Sequence, residues 1–427
     1  MKVFFSVLII FIVCSVSAEN VYVVNSNSQT LSQIDLAEQQ VSNTFAILGQ
    51  TPGSAPNKIA LTQNFAYCVV TYENTVQKVD LASGQVVDSI YLEDSSYPND
   101  IEIVGNYGYV TGNNSYKVYK VDLENEELVS SLEVGKAPQG MAVYNDFLYV
   151  ANTGFDISTY QYDPGTVSVV DLNNFSIFKT IPTSLNPCEF AVVQDKLHLV
   201  CTGNYDDVLG NIEIIDLEEK VVEFTLEIGG CPQAIASDGN KAFIGNAWPA
   251  GIYIYDVQNL EVLSTPEENN ILGGNALAVQ NGYLASIDAK DYVVNSEVFF
   301  YDTSSLELMQ QYEVGVGASD VKFAIEPSGN GEISVPLVQK LNNYPNPFNP
   351  ETIISFNLLQ PQQVEVAIFN TNGRKIKQLH NSILPSGKHN LIWNGTDKNE
   401  KTVASGVYFY QVQTQQGTLS RKMLLVK

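Results

Sequence analysis

The stretch GTVSVVDL, residues 165–172, is one copy of a pattern that recurs along most of the chain: an apolar run that ends in Asp. The copies SQIDL, QKVDL, YKVDL, SVVDL, EIIDL, IYIYDV and VFFYDT place the aspartates at Asp35, Asp80, Asp122, Asp171, Asp216, Asp256 and Asp302. They are spaced 45, 42, 49, 45, 40 and 46 residues apart. Seven copies at a nearly constant period predict seven similar structural units. Because Asp at the end of a strand caps the following turn with its side chain, we expect these residues to be structural.

A second series of short motifs lies between the aspartates. Its members are PNKIA, PNDIE, PQGMA, PCEFA and PQAIA, which begin at Pro56, Pro98, Pro138, Pro187 and Pro232, and the degenerate GNALA and GASDV, which begin at Gly274 and Gly317. Each motif opens a short strand, and a second strand follows across a two-residue turn such as Asn145-Asp146. The strand that ends in Asp is the third, and a fourth is rich in Val, Leu and Glu. Four strands per unit are typical of a propeller blade, so we predict an all-β chain with a seven-bladed β-propeller over residues 19–324.

The phase of the repeat predicts how the ring closes. The first blade begins on its second strand, VYVVN from Val21, and has no first strand of its own. The motif around Val321 is left over at the other end of the repeats and can supply that strand. We therefore expect the two ends of the repeat region to pair in one blade, which removes the open sheet edges that would invite aggregation.

Three stretches resemble a known repeat. They are YVVN from Tyr22, YVAN from Tyr149 and GTVSVVDL from Gly165. Together with the period, they resemble the YVTN-type propeller repeat family across residues 20–324. The resemblance implies the propeller fold but no particular activity, because propellers of this kind serve many functions.

The N-terminus predicts export. Lys2 is followed by an apolar run from Val3 to Val13, and Val16-Ser17-Ala18 places short residues before a cleavage site. This pattern indicates a signal peptide over residues 1–18. A membrane anchor is the alternative, but the run is shorter than the roughly 20 residues that span a bilayer. We expect no membrane-spanning segment in the mature chain.

Charge separates the chain into two parts. Residues 19–336 contain 11 lysines, no arginine and 43 acidic residues, a formal charge of −32. Residues 337–427 contain 10 basic and 4 acidic residues, a formal charge of +6. Since an acidic body without arginine cannot neutralise phosphates, we expect no nucleic acid partner. The acidic residues favour solubility of an exported protein.

The sequence contains no evident catalytic centre. It has no cluster of His, Cys or carboxylates with metal-ligand spacing, no glycine-rich phosphate loop and no nucleophile elbow. We therefore predict no catalytic residue, no metal and no cofactor. His198 takes the place of Tyr149 in the middle of a strand, where we expect a packed core residue rather than a base.

The loops between the second and third strands differ most between blades. The longest are TGFDISTYQYDPG from Thr153, TGNYDDVLG from Thr202, NAWPAG from Asn246 and IDAKDYVVNSE from Ile287. Aromatic side chains beside carboxylates suit carbohydrate or peptide binding, and loops carry function more often than scaffolds do. The predicted ligand-binding residues are Tyr160, Asp163, Tyr205, Asp206 and Trp248.

Several functions stay open at this point. The sequence favours a secreted or cell-surface binding or interaction module with a carbohydrate or protein ligand. An extracellular lyase or hydrolase that attacks polysaccharide with carboxylates of these loops is one alternative. A structural component of an extracellular assembly is another, and the loops can also be solvated without any ligand.

Four cysteines follow the signal peptide, and an exported protein can form disulfides. If a hairpin turns on Gln194-Asp195, counting outward places Cys188 opposite Cys201, within bridging range. We predict this disulfide, with Cys231 as a competing partner for Cys188. Cys68 aligns with a core position and is expected to be a buried thiol.

The C-terminal part begins after a linker, IEPSGNGEISVP, at residues 325–336. The stretch YPNPFNPETIISFNL leads into alternating strands QVEVAIFN, KIKQLH, HNLIWNG, GVYFYQVQ and RKMLLVK, which predict a small Ig-like β-sandwich over residues 337–427. Prolines fix φ and lack an N–H donor, so we expect Pro345, Pro347 and Pro350 to hold an extended connector ahead of the sandwich.

This segment resembles the C-terminal sorting domain of the bacterial type IX secretion system, and is similar also to the Ig-like domain of flagellar hook-cap proteins. The resemblance is carried by Pro345-Asn346-Pro347, Phe348-Asn349-Pro350, Gly373, Trp393-Asn394-Gly395, Ser405-Gly406-Val407-Tyr408 and Lys422–Lys427. It implies passage through the periplasm, a partner in the outer-membrane secretion machinery, and a secreted or cell-surface location. The alternative is an accessory Ig-like module.

Overall fold

The computed structural model describes residues 20–247, 249–325, 338–358, 362–370, 374–385, 387–414 and 417–426. The predicted signal peptide, Trp248 and nearly all of the predicted linker lie outside these residues. The chain divides into two compact units, Met1–Glu326 and Pro327–Lys427, which we call unit 1 and unit 2. In the described ranges, no helix has the length and apolar character needed to cross a bilayer.

Unit 1 is built from short strands in a regular order. They are β1 (Asn20–Asn25), β2 (Thr30–Asp35), β3 (Gln40–Ile47), β4 (Pro56–Leu61), β5 (Phe65–Val70), β6 (Thr75–Asp80), β7 (Gln85–Tyr91), β8 (Pro98–Val104), β9 (Tyr107–Gly112), β10 (Lys117–Asp122), β11 (Glu127–Glu133), β12 (Pro138–Tyr144), β13 (Phe147–Asn152), β14 (Phe155–Asp156) and β15 (Gln161–Tyr162). They continue with β16 (Thr166–Asp171), β17 (Ser176–Pro182), β18 (Pro187–Val193), β19 (Lys196–Cys201), β20 (Asn211–Asp216), β21 (Val221–Glu227), β22 (Pro232–Ser237), β23 (Lys241–Ala247), β24 (Ala250–Asp256), β25 (Glu261–Ser264), β26 (Leu277–Gln280), β27 (Tyr283–Asp288), β28 (Asn295–Asp302), β29 (Leu308–Val316) and β30 (Ala318–Phe323). One 3₁₀ turn, Thr71–Glu73, interrupts this pattern between β5 and β6.

In the described part of unit 1, these strands form seven four-stranded antiparallel sheets and one small ribbon, β14–β15. Sheet 1 has the order β30-β1-β2-β3, sheet 2 is β4 to β7, sheet 3 is β8 to β11, sheet 4 is β12-β13-β16-β17, sheet 5 is β18 to β21, sheet 6 is β22 to β25, and sheet 7 is β26 to β29. The first strands of neighbouring sheets contact one another in a closed cycle, from β30 through β4, β8, β12, β18, β22 and β26 back to β30. The predicted all-β class with repeated four-stranded sheets is confirmed.

The cycle closes where the two ends of the repeat region meet. β1 pairs with β30 along its length, with Val23 opposite Val321, as the phase of the repeat predicts. The N–H of Ala324 donates to the carbonyl of Asn20 at 2.7 Å, and the N–H of Ser26 donates to that of Gly317 at 2.8 Å. Sheet 1 is therefore assembled from chain segments almost 300 residues apart in sequence.

The repeated aspartates form the turns between third and fourth strands. In each of the seven sheets, the Asp Oδ1 accepts a backbone N–H two or three residues later; at Asp35, the N–H groups of Ala37 and Glu38 donate at 3.0 and 2.9 Å. The predicted structural role is confirmed. The fourth residue after each Asp has a positive φ, at Gln39, Gly84, Glu126, Phe175, Lys220, Leu260 and Leu306. The side-chain cap therefore compensates for a turn in which an L-residue is disfavoured.

The hydrophobic core lies between the sheets. Each buried cluster draws its residues from two neighbouring sheets, as with Tyr149 of sheet 4 and Leu199 of sheet 5. Both faces of a sheet are consequently buried, which explains apolar runs such as VYVV without alternation. The core of each sheet is therefore complete only when a neighbouring sheet packs on each of its two faces.

Unit 2 contains two antiparallel sheets. Its strands are β31 (Val338–Tyr344), β32 (Thr352–Leu358), β33 (Gln362–Asn370), β34 (Lys375–Leu384), β35 (Gly387–Trp393), β36 (Gly406–Thr414) and β37 (Gly417–Leu425). One sheet has the order β31-β32-β35 and the other β34-β33-β36-β37. Both contribute to one core, in which Trp393 and Phe356 of the first sheet pack with Val366 and Tyr410 of the second.

The proline-rich stretch is part of this fold and does not precede it. β31 comes before the prolines and pairs with β32, so the expectation of an extended connector ahead of the sandwich is wrong. Phe348 is buried against Trp393, with ring centroids 5.5 Å apart, and its N–H donates to the carbonyl of Leu424 at 3.0 Å. Asn346 Oδ1 accepts the N–H of Leu424 at 2.9 Å. The motif therefore fastens the last strand to the core.

Removing β30 tests the closure of unit 1. A chain that ends at Gly315 leaves one edge of β1 without its partner strand and removes the buried Phe323, which should cost at least about 3–5 kcal/mol in the free energy of unfolding. The matched control ends at Ile325 and keeps β30. Denaturant unfolding of the two chains measures the difference in stability. Equal stability would show that pairing with β30 does not stabilise unit 1.

Phe348→Ala tests the role of the proline-rich stretch. Truncation of this fully packed ring should destabilise unit 2 by about 3–5 kcal/mol, because a cavity opens beside Trp393. Tyr344→Ala is the control in the same stretch, since Tyr344 is exposed, and it should change stability by less than about 0.5 kcal/mol. Denaturant unfolding followed by tryptophan fluorescence should have a lower midpoint in Phe348→Ala but not in Tyr344→Ala. Equal midpoints for the two variants would contradict the prediction.

Candidate ligand-binding face

Chain direction places the variable loops at one end of the sheets. In each antiparallel sheet, the loop from second to third strand and the connection to the next sheet leave at the same end, and the Asp turns lie at the opposite end. We call this end the loop face. It comprises residues 153–165, 202–210, 246–247, 249–251 and 287–297 together with the other second-to-third loops and the connections between sheets.

The loop of sheet 4 is a small hairpin. Phe155 pairs with Tyr162, and their ring centroids are 5.1 Å apart. Lys136 Nζ lies 2.7 Å from Asp156 Oδ2 and 2.9 Å from Asp163 Oδ2, so the predicted carboxylate of Asp163 shares one ammonium group with its neighbour. Hydrogen bonds from Lys136 and Ser158 hold the pKa of Asp156 below its ordinary range. Tyr160 projects from the tip of the hairpin and is highly exposed.

The loop of sheet 5 is organised by Asn204. Its Oδ1 accepts the N–H groups of Asp206 and Val208 at 3.0 and 2.9 Å, and its Nδ2 donates to Asp207 at 2.7 Å. Tyr205 and Asp206 are exposed at the tip. Trp248, predicted in the loop of sheet 6, lies outside the described residues. Tyr205 interacts electrostatically with Tyr162 of the sheet 4 hairpin, and both tyrosines contact Asn186, so the two loops lie next to each other.

A feature that the sequence analysis missed links these loops. Five tyrosines have a backbone φ between +49° and +62° and are 36% to 74% exposed: Tyr97, Tyr116, Tyr160, Tyr205 and Tyr292. All five lie on the loop face. Bulky residues rarely adopt this conformation, which costs roughly 1–2 kcal/mol.

The Asp turns at the opposite end offer a comparison. There, the apolar residues with positive φ are Phe175, Leu260 and Leu306, and each packs against a core cluster. Their packing can offset the backbone strain. The exposed tyrosines lack this burial, although Tyr97 packs edge-on against Tyr72 and Tyr160 packs edge-on against Phe155.

Charged side chains line the space enclosed by the seven first strands, which we call the channel. The third and fifth positions of the first strands, counted from Pro56, Pro98, Pro187 and Ala318, supply Lys58, Asp100, Glu102, Glu189, Asp320 and Lys322. Lys58 Nζ lies 2.6 Å from Glu189 Oε2 and 3.8 Å from Asp320 Oδ1. The sequence signal was present, because other motifs have Gly or Ala at these positions, but it was not recognised.

Two channel carboxylates also fasten neighbouring sheets. Asp320 Oδ2 accepts the N–H of Ile59 at 3.0 Å, which joins sheet 1 to sheet 2. Asp100 Oδ2 accepts the N–H of Met141 at 2.8 Å, which joins sheet 3 to sheet 4. In the described residues, no three His, Cys, Asp or Glu side chains are placed to hold a metal ion.

The channel contains more carboxylates than ammonium groups, and this imbalance shifts their pKa values. Burial, together with the charge of Asp100, raises the pKa of Glu102 to about 8. Burial and the charge of Glu189 raise the pKa of Asp100 to about 6. Burial alone would lower the pKa of Lys58, but Glu189 and Asp320 outweigh it and hold that pKa well above its ordinary value. The charge of Asp320 raises the pKa of Lys322, whose side chain is accessible inside the channel.

The predicted disulfide between Cys188 and Cys201 is wrong. β18 and β19 pair in the predicted register from Val193 opposite Lys196 as far as Glu189, but a β-bulge then places Pro187 opposite Cys201. Cys188 lies in the bulge, where its Sγ contacts Thr202 Oγ1 at 3.2 Å. The four described cysteines, including Cys231 and the buried Cys68, are free thiols, and burial raises the pKa of each.

His198 is a core residue, as predicted. It is buried, and its ring stacks on Tyr255 with centroids 5.9 Å apart. Nδ1 hydrogen-bonds the Tyr255 hydroxyl. Burial lowers the pKa of His198 to about 4, so the imidazole is neutral at physiological pH.

Comparison with known families identifies unit 2. Residues 342–427 match the family described as secretion system C-terminal sorting domain. Unit 2 is a type IX sorting domain. The chain is therefore exported by type IX secretion to the cell surface or beyond, as predicted, and the domain's sequence implies contact with the secretion machinery.

Solved structures resemble the chain in fold. Kuenenia stuttgartiensis hydrazine synthase matches with a TM-score of 0.52 and 15% identity, over 64% of this chain and 90% of that chain. The computationally designed Ika8 protein matches with a TM-score of 0.47 and 12% identity, over 86% of this chain and 96% of that chain. The first likeness supports a propeller-like arrangement of repeated sheets and concerns the fold alone. No curated protein matches the sequence.

The channel predicts a specific pH dependence of stability. Between the ordinary Glu pKa of 4.5 and about 8, folded Glu102 keeps a proton that the unfolded chain has released. Stability therefore falls as the pH rises through this window. Glu102→Gln cannot titrate, so the variant should lose less stability than the wild type between pH 5 and pH 8.

Urea unfolding at several pH values measures this effect. Glu127→Gln, an exposed carboxylate on the fourth strand of the same sheet, is the control and should follow the wild type. If Glu102→Gln showed the wild-type pH dependence, the carboxylate would not be held protonated in the channel.

Proposed function

We propose that unit 1 is a seven-bladed β-propeller of the YVTN type that binds an extracellular ligand on its loop face. The seven four-stranded sheets, the closed cycle of first strands and the core clusters between sheets support the blade count. Unit 2 is an Ig-like β-sandwich that addresses the propeller to the outer-membrane secretion machinery, after an N-terminal signal peptide has directed the chain to the periplasm.

The observation that carries this proposal is the set of five exposed tyrosines with positive φ. Tyrosine supplies a large, rigid contact area with a polar end, and it is enriched in binding surfaces for this reason. A strained and exposed tyrosine contributes little to folding, but a bound partner can use its ring. Carbohydrate and protein are the ligand classes that suit aromatic rings beside the carboxylates of Asp163 and Asp206.

Glycan and peptide arrays probed with the full secreted chain test the function. A ligand found there should lose affinity when Tyr160 and Tyr205 are both replaced by Ala. Phe178→Ala is the matched control, because Phe178 is an exposed aromatic residue on the outer strand of sheet 4, away from the loop face. A ligand that binds the double variant and the wild type equally well would place the site elsewhere.

Tyr160 provides a further prediction, because glycine adopts a φ of +55° without a Cβ clash. Tyr160→Gly should be more stable than Tyr160→Ala by about 1 kcal/mol, while both lose the ring and therefore bind equally weakly. Denaturant unfolding and array binding of the two variants measure the two effects. Equal stability of the variants would show that the backbone at Tyr160 is not strained.

A further inference from the structure

A cavity of about 410 Å³ opens between sheets 6 and 7 on the loop face. This volume is within the range of roughly 300–1,000 Å³ that is typical of small-molecule sites. Its lining includes Gln233, Asn246, Leu272, Asp288, Lys290 and Tyr292. It adjoins Pro249 and the strand ends that flank the predicted loop of sheet 6.

The repeat changes at the junction where the cavity opens. At the junction of sheets 5 and 6, the ring of Pro232 fits against Gly210, where an added Cβ would come within 2.2 Å of the proline. Pro187 fits against Gly165 in the same way at the preceding junction. At the junction of sheets 6 and 7, the motif begins with Gly274 instead of proline. There, Pro266 packs against Gly251 instead, and the backbone of Gly274 packs against Gly245.

Two amide side chains in the cavity have free hydrogen-bonding capacity. Asn246 is buried and its Nδ2 donates to the carbonyl of Pro249 at 2.6 Å, but its Oδ1 has no partner among the described residues. Asn25 and Asn152 share such an unpartnered Oδ1, so this feature marks a site only where a cavity is present. Gln233 also lines the cavity, where its side-chain amide can both donate and accept hydrogen bonds.

The charged groups of the cavity neutralise one another. Lys290 Nζ lies 3.0 Å from Asp288 Oδ2 and also pairs with Glu297. No ammonium group is thus left over to attract an anion, and the acidic body around the cavity opposes one. The lining favours a ligand without net charge.

Tyr292 gives the cavity a fixed aromatic wall. Its hydroxyl accepts a hydrogen bond from Asn275 Nδ2 at 3.1 Å, and its carbonyl accepts one from Asn27 Nδ2 of sheet 1 at 2.7 Å. The ring is half exposed, on a backbone with a φ of +61°. The ring position is therefore set before any ligand arrives.

We propose that this cavity binds a neutral saccharide unit, which rests on the proposed binding function of the loop face and names its ligand class. Sugar hydroxyls both donate and accept hydrogen bonds, as do the amides of Gln233 and Asn246. The apolar C–H face of a pyranose packs against an aromatic ring, the role of Tyr292. Asn275 is a positioning residue that holds the ring.

Titration of the full secreted chain with maltose, cellobiose, lactose and N,N′-diacetylchitobiose, followed by calorimetry, tests the proposal. At least one of them should bind, and Gln233→Ala should weaken it about tenfold, as expected for the loss of a hydrogen bond to a ligand. Gln139→Ala is the matched control, because Gln139 has the same position in the first strand of sheet 4, and it should leave affinity unchanged. Tyr292→Ala should abolish binding, whereas Tyr292→Phe keeps the ring and should retain most of it.

The outcomes separate this proposal from the wider function. Binding that persists in Gln233→Ala and Tyr292→Ala but is lost on changing Tyr160 and Tyr205 overturns the cavity site and leaves the loop face as a binding surface. The same holds if arrays yield a peptide ligand and no disaccharide binds, or if only acidic saccharides bind. If neither arrays nor titrations yield any ligand, both proposals fail.

Discussion

The pairing of β1 with β30 is the constraint on which the rest of unit 1 depends. Each sheet buries apolar residues on both faces, so its core is complete only when neighbours flank it on both sides. An open row of seven sheets would expose one apolar face at each end and two unpaired strand edges. Closure through β1 and β30 removes both defects at once, but it needs contacts between residues at the two ends of the repeat region, such as Val23 and Val321. The stability of every sheet is therefore tied to one long-range pairing, and the loops at the ends of the strands are left free to differ.

Sequence patterns predicted this scaffold well, because its causes are local and repeated. An Asp that accepts the N–H groups of its own turn acts within four residues, so seven copies identify seven turns. The phase of the repeat left one strand without a partner at each end of the repeat region. This predicted that the two strands pair and close the cycle of sheets. Five strands of unit 2, β33 to β37, were also predicted; β31 and β32 were not, and the LNN segment of β31 lacks the alternation of a strand. The prediction of either unit's fold did not depend on the identity of any single residue.

The features that sequence reasoning missed depend on such details. A β-bulge of one residue separates Cys188 from Cys201, and bulges of this kind recur where first strands begin, as at Pro56 and Pro138. Counting in register cannot detect them, because a bulge changes the pairing without a clear sequence mark. The channel charges were visible in the motifs, yet only a closed ring brings Lys58 to Glu189 across 131 residues. The strained tyrosines were missed because the φ angle at each of them depends on the backbone path of its loop. Amino-acid composition does not reveal that path.

The strained tyrosines share one location, the loop face. The scaffold is consistent at every level, from turn chemistry to core packing, so exceptions to local rules are expected where function intervenes. Glycine occupies positive φ at Gly154 and Gly203 in the same loops that place Tyr160 and Tyr205 in that conformation. The fold can thus use glycine there, and an exposed ring adds little to the core. The strained tyrosines of the loop face and the cavity beside Tyr292 are therefore the two features on which the proposed binding function rests.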